Sequence, residues 1–455
     1  MNKDSFLEKI KEAGIVGEGG AGFPSHIKYD AEVETIIANG CECEPLLHTD
    51  HHIMKHHAAR IGKAMRTLGQ FTGATRLVLG IKKKHTDIIG QLRQELEPFG
   101  VNLHLMDDFY PAGDEQILVR EVTGKSVPPL GIPLNVGAIV ANVGTLANVC
   151  AALEENKPVT DKFLTVTGEV NSPAVMQAPL GTPLTDCLRA CGGIKTPSPA
   201  FILGGPMMGR VVVGMEALAK ENVTKTTGGL IALPEEHYLQ NNATLPLEVM
   251  RRRAASACIQ CRACSDICPR GLIGHPFETH KIMRLFAAGN ENSEAAASAM
   301  LCSECGACEH FICPMGMSPR RINQAVKQTL RSGSINYDGS REIAEEKTAF
   351  REYRKIPVSR LAEKLGIGSY MKLATPFIGE ISPSEVNISL RQHIGAPSIP
   401  VVKKGARLRK GDLIAVVPEK ALGAQIHASV DGTVVEIDSH VRIAAQNTAT
   451  PTGGK

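Results

Sequence analysis

The segment CIQCRACSDICP, residues 258–269, decides how this chain is interpreted. A second run, CSECGACEHFICP, follows at residues 302–314, so a C-x2-C-x2-C pattern with a fourth cysteine and a proline occurs twice. Three closely spaced thiolates with one remote thiolate are typical of ferredoxin-type iron–sulfur ligation. The proline cannot continue the preceding turn and therefore ends it. The pattern predicts a region that transfers single electrons.

In two-cluster ferredoxins, the fourth cysteine of each run binds the cluster of the other run. We therefore predict two [4Fe–4S] clusters with crossed ligand sets. Structural zinc is the alternative, but zinc usually takes two well-separated C-x2-C pairs. The second run has four residues before its last cysteine where the first has three, which is a departure from the pattern. The first predicted ligand set is Cys258, Cys261, Cys264 and Cys313, and the second is Cys302, Cys305, Cys308 and Cys268.

Length and composition favour a multidomain protein with no nucleic-acid partner and no membrane span. The chain has 455 residues, enough for about three or four domains. Its net charge of +3 provides no electrostatic argument for nucleic acid. The longest uncharged stretch, residues 126–153, contains several prolines and asparagines, which argue against a bilayer span. Free thiols and oxygen-sensitive clusters predict a reducing, cytoplasmic setting.

The predicted fold class is multidomain, α/β and α+β. The first domain is placed at residues 1–155, of which residues 30–155 alternate strand and helix signals, a pattern typical of a parallel sheet covered by helices. Residues 160–215 contain short strands between Gly, Pro and Asn turns and predict a small β-rich domain. Residues 246–330 contain the two cysteine runs, residues 331–390 are predicted to be a linker, and residues 395–445 again show short strands.

Within the first domain, β-branched and apolar runs predict strands, and amphipathic stretches predict helices. The predicted strands are Val33–Ala38, Arg76–Ile81, Val101–Met106 and Ala138–Asn142, and the predicted helices include His51–Leu68, Thr86–Leu96 and Gly113–Val122.

Two loops of this domain suggest a ligand. The glycine loop, GEGGAGFP at residues 17–24, allows close backbone approach to a flat or anionic molecule. It follows a helix and not a strand, so it fails the context test for a Rossmann fingerprint. The acidic loop, NGCECEP at residues 39–45, follows the first predicted strand, at the edge of a parallel sheet where ligands collect. An ordinary turn and an ordinary acidic loop are the alternatives.

Together these loops resemble the flavin-binding subunits that include the NADH-oxidising subunit of respiratory complex I and the RnfC subunit of ion-translocating ferredoxin reductases. The tyrosine segment, residues 110–115, and residues 141–146 resemble two further motifs of that family; the latter cups a flavin phosphate at a helix N-terminus. The resemblance implies an α/β domain that binds FMN and NADH, and we assign no catalytic side chain. The residues that it assigns to these cofactors are Gly17, Gly19, Gly20, Ala21, Gly22, Phe23, Lys28, Asn39, Glu42, Glu44, Tyr110, Gly113, Glu115, Asn142 and Thr145.

The rest of the chain extends the resemblance. Residues 165–209 resemble an SLBB-like β-grasp domain, and residues 399–443 resemble a barrel-sandwich module of the biotinyl/lipoyl type. The order of flavin domain, β-grasp domain, two clusters and sandwich resembles the cobalamin reductases of propanediol-utilising microcompartments. That family implies NADH as electron donor and cobalamin, a corrinoid, as substrate. It also implies a bacterial microcompartment setting, with a cobalamin adenosyltransferase and a shell protein as partners.

Several alternatives stay open at this point. The chain could be an RnfC-like peripheral subunit of a membrane ferredoxin:NAD oxidoreductase, or a non-enzymatic electron-relay or docking protein. Glu18 supports the latter, because relatives often carry a basic or small residue there. The histidines at positions 48, 51, 52, 56 and 57 are either ligands or an exposed helix edge. Cys41 and Cys43 are either reactive thiols or buried ones.

Overall fold

The computed structural model describes residues 1–339, 343 and 348–446. The first domain contains a four-stranded parallel sheet with the spatial order β3-β2-β1-β5. The predicted strands all form, with ends shifted by at most two residues. The strands of the domain are β1 (Thr35–Gly40), β2 (Arg76–Lys82), β3 (Val101–Met106), β4 (Phe109–Tyr110), which lies outside the sheet, and β5 (Ala138–Asn142).

Helices cover both faces of this sheet because side chains alternate along each strand. Ile36 and Ala38 belong to the core cluster that includes the buried faces of α3 and α6, whereas Ile37 packs in the cluster of α5. Phe6 and Ile10 of α1 are fully buried in the first cluster, so the apolar face of the N-terminal helix belongs to the domain core. The helices are α1 (Lys3–Glu12), α2 (Ser25–Lys28), α3 (Thr49–Thr72), α4 (Thr86–Leu96), α5 (Glu115–Thr123) and α6 (Val143–Glu155).

The β-grasp region forms a six-stranded sheet with the order β12-β7-β6-β10-β8-β9. This sheet continues past residue 215, because β10 lies between β6 and β8. It also takes an edge strand from the segment predicted to be a linker. Its strands are β6 (Asp161–Gly168), β7 (Ala174–Pro179), β8 (Pro199–Leu203), β9 (Arg210–Val213), β10 (Gly229–Pro234) and β12 (Phe377–Glu380), with helices α7 (Leu184–Ala190) and α8 (Met215–Leu218).

The cysteine runs lie among short helices that share one core. This core contains Phe286 and Ile322, and it also includes Cys268. The segment Ala307–Ile312 within the second run forms a π-helix. The helices of the region are α9 (Tyr238–Thr244), α10 (Leu247–Ala257), α11 (Ala263–Asp266), α12 (Pro269–Leu272), α13 (Thr279–Ala287) and α14 (Pro319–Ser332).

The prediction of an extended or helical linker over residues 331–390 is corrected by the described part of that segment, which packs against two domains. It contains α15 (Thr348–Arg351), β11 (Ile356–Pro357) and α16 (Val358–Lys364), and β11 pairs with β4 of the first domain. The physical reason is burial of apolar side chains, since Ile356, Val358 and Leu361 join a core with Tyr110.

The last module is a sandwich of two small sheets around a core of aliphatic side chains such as Ile388 and Ile426. It begins before residue 395, because β13 pairs with the final strand. Ser429 of this module donates from Oγ to the carbonyl of Leu180 at 2.6 Å, so the turn that contains Ser429 packs on the β-grasp domain. The strands are β13 (Glu385–Ser389), β14 (Ile399–Pro400), β15 (Arg407–Leu408), β16 (Leu413–Val416), β17 (Ile426–His427), β18 (Gly432–Ile437) and β19 (His440–Ala445).

Candidate functional site

The glycine loop lies against the N-terminus of α6. The backbone N–H of Glu18 donates to Thr145 Oγ1 at 3.0 Å, and Asn142 caps α6 by accepting from the N–H of Gly144 at 2.8 Å. A Cβ at Gly19 would lie 3.1 Å from Asn142 Nδ2, so only glycine allows this approach without displacing a neighbour. Because a helix N-terminus favours anions, this corner is suited to a phosphate group.

The tip of the glycine loop is open to solvent. Gly19, Gly20, Ala21 and Phe23 are exposed, and a Cβ at Gly20 would meet no atom within 4 Å. Gly22, by contrast, is buried and accepts at its carbonyl from the N–H of Ile394 in the sandwich module, at 3.4 Å. The loop therefore offers backbone to a ligand on one side while the sandwich module holds its other side.

The acidic loop, the glycine loop and the tyrosine segment meet at the carboxyl end of β1. Asn39 Nδ2 donates to the carbonyl of Gly113 at 2.9 Å. Lys28, four residues after the glycine loop, forms an ion pair with Glu115 at 3.6 Å between Nζ and Oε2. The structure thus brings residues of all four predicted motifs into one site, although they are spread over residues 17–145 of the sequence.

The two carboxyl groups of the acidic loop lie in surroundings that favour their neutral form. Burial raises the pKa of Glu44 to about 8, and it also raises the pKa of Glu42. Oε2 of Glu44 accepts from the backbone N–H of Met207 in the β-grasp domain at 2.7 Å. Oε1 of Glu44 is buried and has no hydrogen-bond partner among the described residues. Because the raised pKa favours the protonated carboxyl, this atom is a hydrogen-bonding group left for a polar group of a ligand.

Sequence reasoning missed three polar side chains beneath the glycine loop. Lys162 of β6 forms a buried ion pair with Glu18, and Asn148 of α6 donates to the other carboxylate oxygen. Asp50 of α3 accepts from Asn142 Nδ2 at 2.9 Å, and burial together with Glu42 raises the pKa of Asp50 to about 8. A single lysine before the apolar residues of β6 was the only sequence signal for this network.

The first predicted cysteine set converges. Cys258, Cys261, Cys264 and Cys313 line one cleft. Burial and the three neighbouring thiols raise the pKa of Cys264 to about 12. Cys261 is exposed, so this cleft lies at the protein surface.

The second predicted set also converges, but more deeply. Burial and the nearby Cys305 and Cys302 raise the pKa of Cys268 to about 12, and Cys268, Cys305 and Cys308 are buried. The hydroxyl of Tyr110 donates to the carbonyl of Cys305 at 2.5 Å. This contact joins the second cysteine set directly to the tyrosine segment of the flavin domain.

The remaining candidate residues are the two thiols of the acidic loop and the histidines near the start of α3. Burial raises the pKa of Cys41 to about 12 and that of Cys43 well above its usual range, so neither thiol is activated as a thiolate. His52 stacks on Phe377 of β12 with ring centroids 4.3 Å apart. His51 instead turns toward α4, outside this aromatic contact.

The residues present fit both kinds of cofactor. Four thiols in one place are the donor set of an iron–sulfur cluster, and each predicted set supplies four. Open glycine backbone, a capped helix N-terminus and the unpartnered Glu44 Oε1 suit a flat, phosphate-bearing ligand with hydrogen-bonding groups.

Comparison with protein families assigns a type to each region. Residues 10–151 match the Nuo51 FMN-binding domain, and residues 163–211 match the SLBB domain. Residues 257–318 match a 4Fe-4S dicluster domain, and residues 374–451 match the RnfC barrel sandwich hybrid domain. These matches confirm the predicted fold class and the resemblance to the RnfC and complex I flavoproteins.

Three curated relatives illustrate the range of similarity. Cobalamin reductase PduS of Salmonella typhimurium is 41% identical over 441 residues, which cover 96% of this chain and 95% of that protein. Cobalamin reductase PduS of Citrobacter freundii is 40% identical and covers 94% of each chain. A component of the Na(+)-translocating ferredoxin:NAD(+) oxidoreductase complex of Acetobacterium woodii is 30% identical over 59% of this chain and 58% of that protein.

Fold and site together define an oxidoreductase of the class that combines an FMN-binding domain with iron–sulfur domains. The similarity over almost the full length is specific within this class. The chain belongs to the cobalamin reductase PduS family. In the described residues, no helix combines the length and apolar character that crossing a bilayer requires.

Proposed function

We propose that this chain is an NADH-dependent cobalamin reductase that supports recycling of coenzyme B12. The observation that carries the proposal is the 41% identity to a cobalamin reductase over 96% of the chain. The site supports it, because the predicted flavin residues and the second cysteine set are in direct contact through Tyr110 and Cys305.

The first domain's residues account for cofactor binding. The glycine loop and the N-terminus of α6 would hold the flavin phosphate, and the carboxyl group of Glu44 would form a hydrogen bond with the flavin or with NADH. Bound flavin supplies the exchange between a two-electron hydride donor and one-electron carriers. The residues that we propose for this site are those assigned by the resemblance, together with Asp50 and Lys162.

The two cysteine sets differ in how deeply they are buried, and this difference suggests the order in which electrons pass through them. The set with Cys305 is buried beside the flavin domain, whereas the set with Cys261 reaches the surface. Ile259, next to Cys261 in the same cleft, is 62% exposed. We therefore assign the set around Cys305 to the flavin side and the set around Cys261 to the side that meets the corrinoid.

The proposal also includes two [4Fe–4S] clusters and a cytoplasmic microcompartment setting. It includes contact with a cobalamin adenosyltransferase and with a shell protein. These partners rest on family membership. NADH in preference to NADPH rests on the resemblance to NADH-oxidising flavoproteins.

The proposal is tested by an anaerobic absorbance titration of the purified chain with NADH, with iron, zinc and flavin quantified on the same sample. We expect flavin and cluster absorbance to bleach, and added cob(III)alamin then to be reduced. Cys264→Ser should retain flavin bleaching but lose transfer to cobalamin, while Cys187→Ser, a buried thiol of the β-grasp domain, should behave as wild type. A fully loaded protein that does not reduce cobalamin would refute the reductase function.

A further inference from the structure

A group of three side chains of the kinds that bind metal ions lies outside both cysteine sets and the flavin site. His51 comes from the first turn of α3, His85 precedes α4, and Asp87 lies in the first turn of α4. Nε2 of His51 is 3.0 Å from Oδ2 of Asp87, and the rings of His51 and His85 have centroids 4.9 Å apart. One ligand atom from each of the three residues lies within 4.8 Å of the other two.

We propose that His51, His85 and Asp87 bind a divalent transition-metal ion of the Zn²⁺ type. Two imidazoles and one carboxylate are a donor set that zinc accepts, with a further position left to water. Ligand atoms about 2.0–2.2 Å from one ion lie closer together than 4.8 Å, so binding requires small side-chain rotations. Asp87 is exposed and can turn from the His51 imidazole to the ion.

The backbone around the site is held in place before any ion binds. The N–H of His85 donates to the carbonyl of Lys82 at 3.1 Å, and the carbonyl of His85 accepts from Ile88 at 3.2 Å and from Ile89 at 3.3 Å. Both imidazoles are half-buried. Two of the three ligands therefore do not have to be ordered when the metal binds, which lowers the entropic cost.

The neighbouring lysines do not oppose the ion as free charges. Lys82 and Lys84 both pair with Asp108, at 2.9 and 3.2 Å, and Lys83 pairs with Asp107 at 2.7 Å. Each of these three lysines is therefore ion-paired, although Lys82 and Lys84 share one carboxylate, and Asp87 remains to offset the charge of a bound cation.

The histidine-rich start of α3 divides into two groups. His52 stacks on Phe377 with ring centroids 4.3 Å apart, and the His56 ring lies tilted against His52 at 4.6 Å, whereas His51 faces His85 and Asp87. The spacing of histidines within α3 alone does not produce a ligand set, because the other two ligands come from the loop after β2.

The test is anaerobic equilibrium dialysis of the flavin- and cluster-loaded protein against ⁶⁵Zn²⁺, with iron measured on the same sample. We expect one zinc per chain to bind without loss of iron. His85→Gln and Asp87→Asn should each weaken this binding at least tenfold, because loss of even an outer-shell partner costs about that much. His56→Gln, an exposed histidine of the same helix, should bind zinc as wild type does.

Two results would overturn the proposal. One is zinc uptake only in proportion to iron loss, which would place the zinc at the cluster cysteines. The other is unchanged zinc affinity in Asp87→Asn, whose exposed position makes it a substitution that preserves the fold. Unchanged flavin and iron contents in each variant show that the protein is intact, and neither quantity depends on reductase activity.

Discussion

The buried ion pair between Glu18 and Lys162 provides the sharpest test of how the domains are joined. The two side chains are only 7% and 5% exposed, and they link the glycine loop to the first strand of the β-grasp sheet. Asn148 is the other side chain that donates to the Glu18 carboxylate. Lys162→Met removes the cation and leaves the carboxylate buried with one neutral side-chain donor.

The expected cost follows from that unpaired charge. Removing one partner of a buried ion pair costs about 3–5 kcal/mol, whereas replacing both partners with neutral groups of similar size costs far less. We therefore expect Lys162→Met to destabilise the junction by about 3–5 kcal/mol, and Lys162→Met combined with Glu18→Gln to recover most of that loss. Lys63 pairs with Glu154 of the same helix α6 at 3.3 Å, but both are more than half exposed, so Lys63→Met should cost at most about 1 kcal/mol.

A chain of several domains does not unfold in a single two-state step, so the assay has to be local. Hydrogen-exchange mass spectrometry of peptides from α6 and β6 measures the free energy of opening at the junction itself. The reasoning fails if Lys162→Met changes this free energy no more than Lys63→Met does. It also fails if the double substitution costs as much as the sum of its two single substitutions.

Three further predictions concern the cofactors and pH. Gly20→Val should abolish flavin binding with both clusters intact, because its Cβ meets no protein atom and only a ligand would be displaced. Gly90→Val, at an equally open position in α4, is the control. Retained flavin in Gly20→Val would show that the loop is misassigned. Cys261→Ser should lower iron by about four atoms per chain if its set holds a cubane, and a full iron content in that variant would exclude Cys261 as a ligand. The pKa of Asp50 is raised from 3.8 to about 8, so its contribution to stability is complete below pH 3.8 and is lost as pH rises to about 8. Asp50→Asn should therefore flatten the pH dependence, between pH 5 and 9, of the free energy of opening measured by hydrogen exchange in peptides of α3, and an unchanged slope would contradict the raised pKa.

Local pattern in the sequence was sufficient to predict helices and strands of the first domain and the kinds of cofactor site. Helix Thr86–Leu96 and strands Val101–Met106 and Ala138–Asn142 have the predicted ends, because periodicity and turn residues act over a few neighbouring positions. The cysteine spacing predicts iron–sulfur ligation for the same reason, since three of the four ligands in each set lie within one short turn.

The segment between residues 331 and 390 shows where local pattern fails. Its charge predicts a linker, yet β11 pairs with β4, β12 joins the β-grasp sheet and β13 joins the sandwich. Short strands of this kind have little local signal, because their pairing and burial depend on partners far away in the sequence.

The sequence by itself therefore determined the cysteine sets, the glycine and acidic loops and the parallel sheet of the first domain. Only the tertiary structure placed Lys162 under the glycine loop, 144 residues from Glu18, and brought His85 to His51. It also put Tyr110 in contact with Cys305, 195 residues away. The physical reason is that the spacing of residues along the sequence determines what a short stretch of backbone can form. Contacts between domains arise only when their buried surfaces pack, and side chains distant in sequence must then satisfy one another's charges and hydrogen bonds.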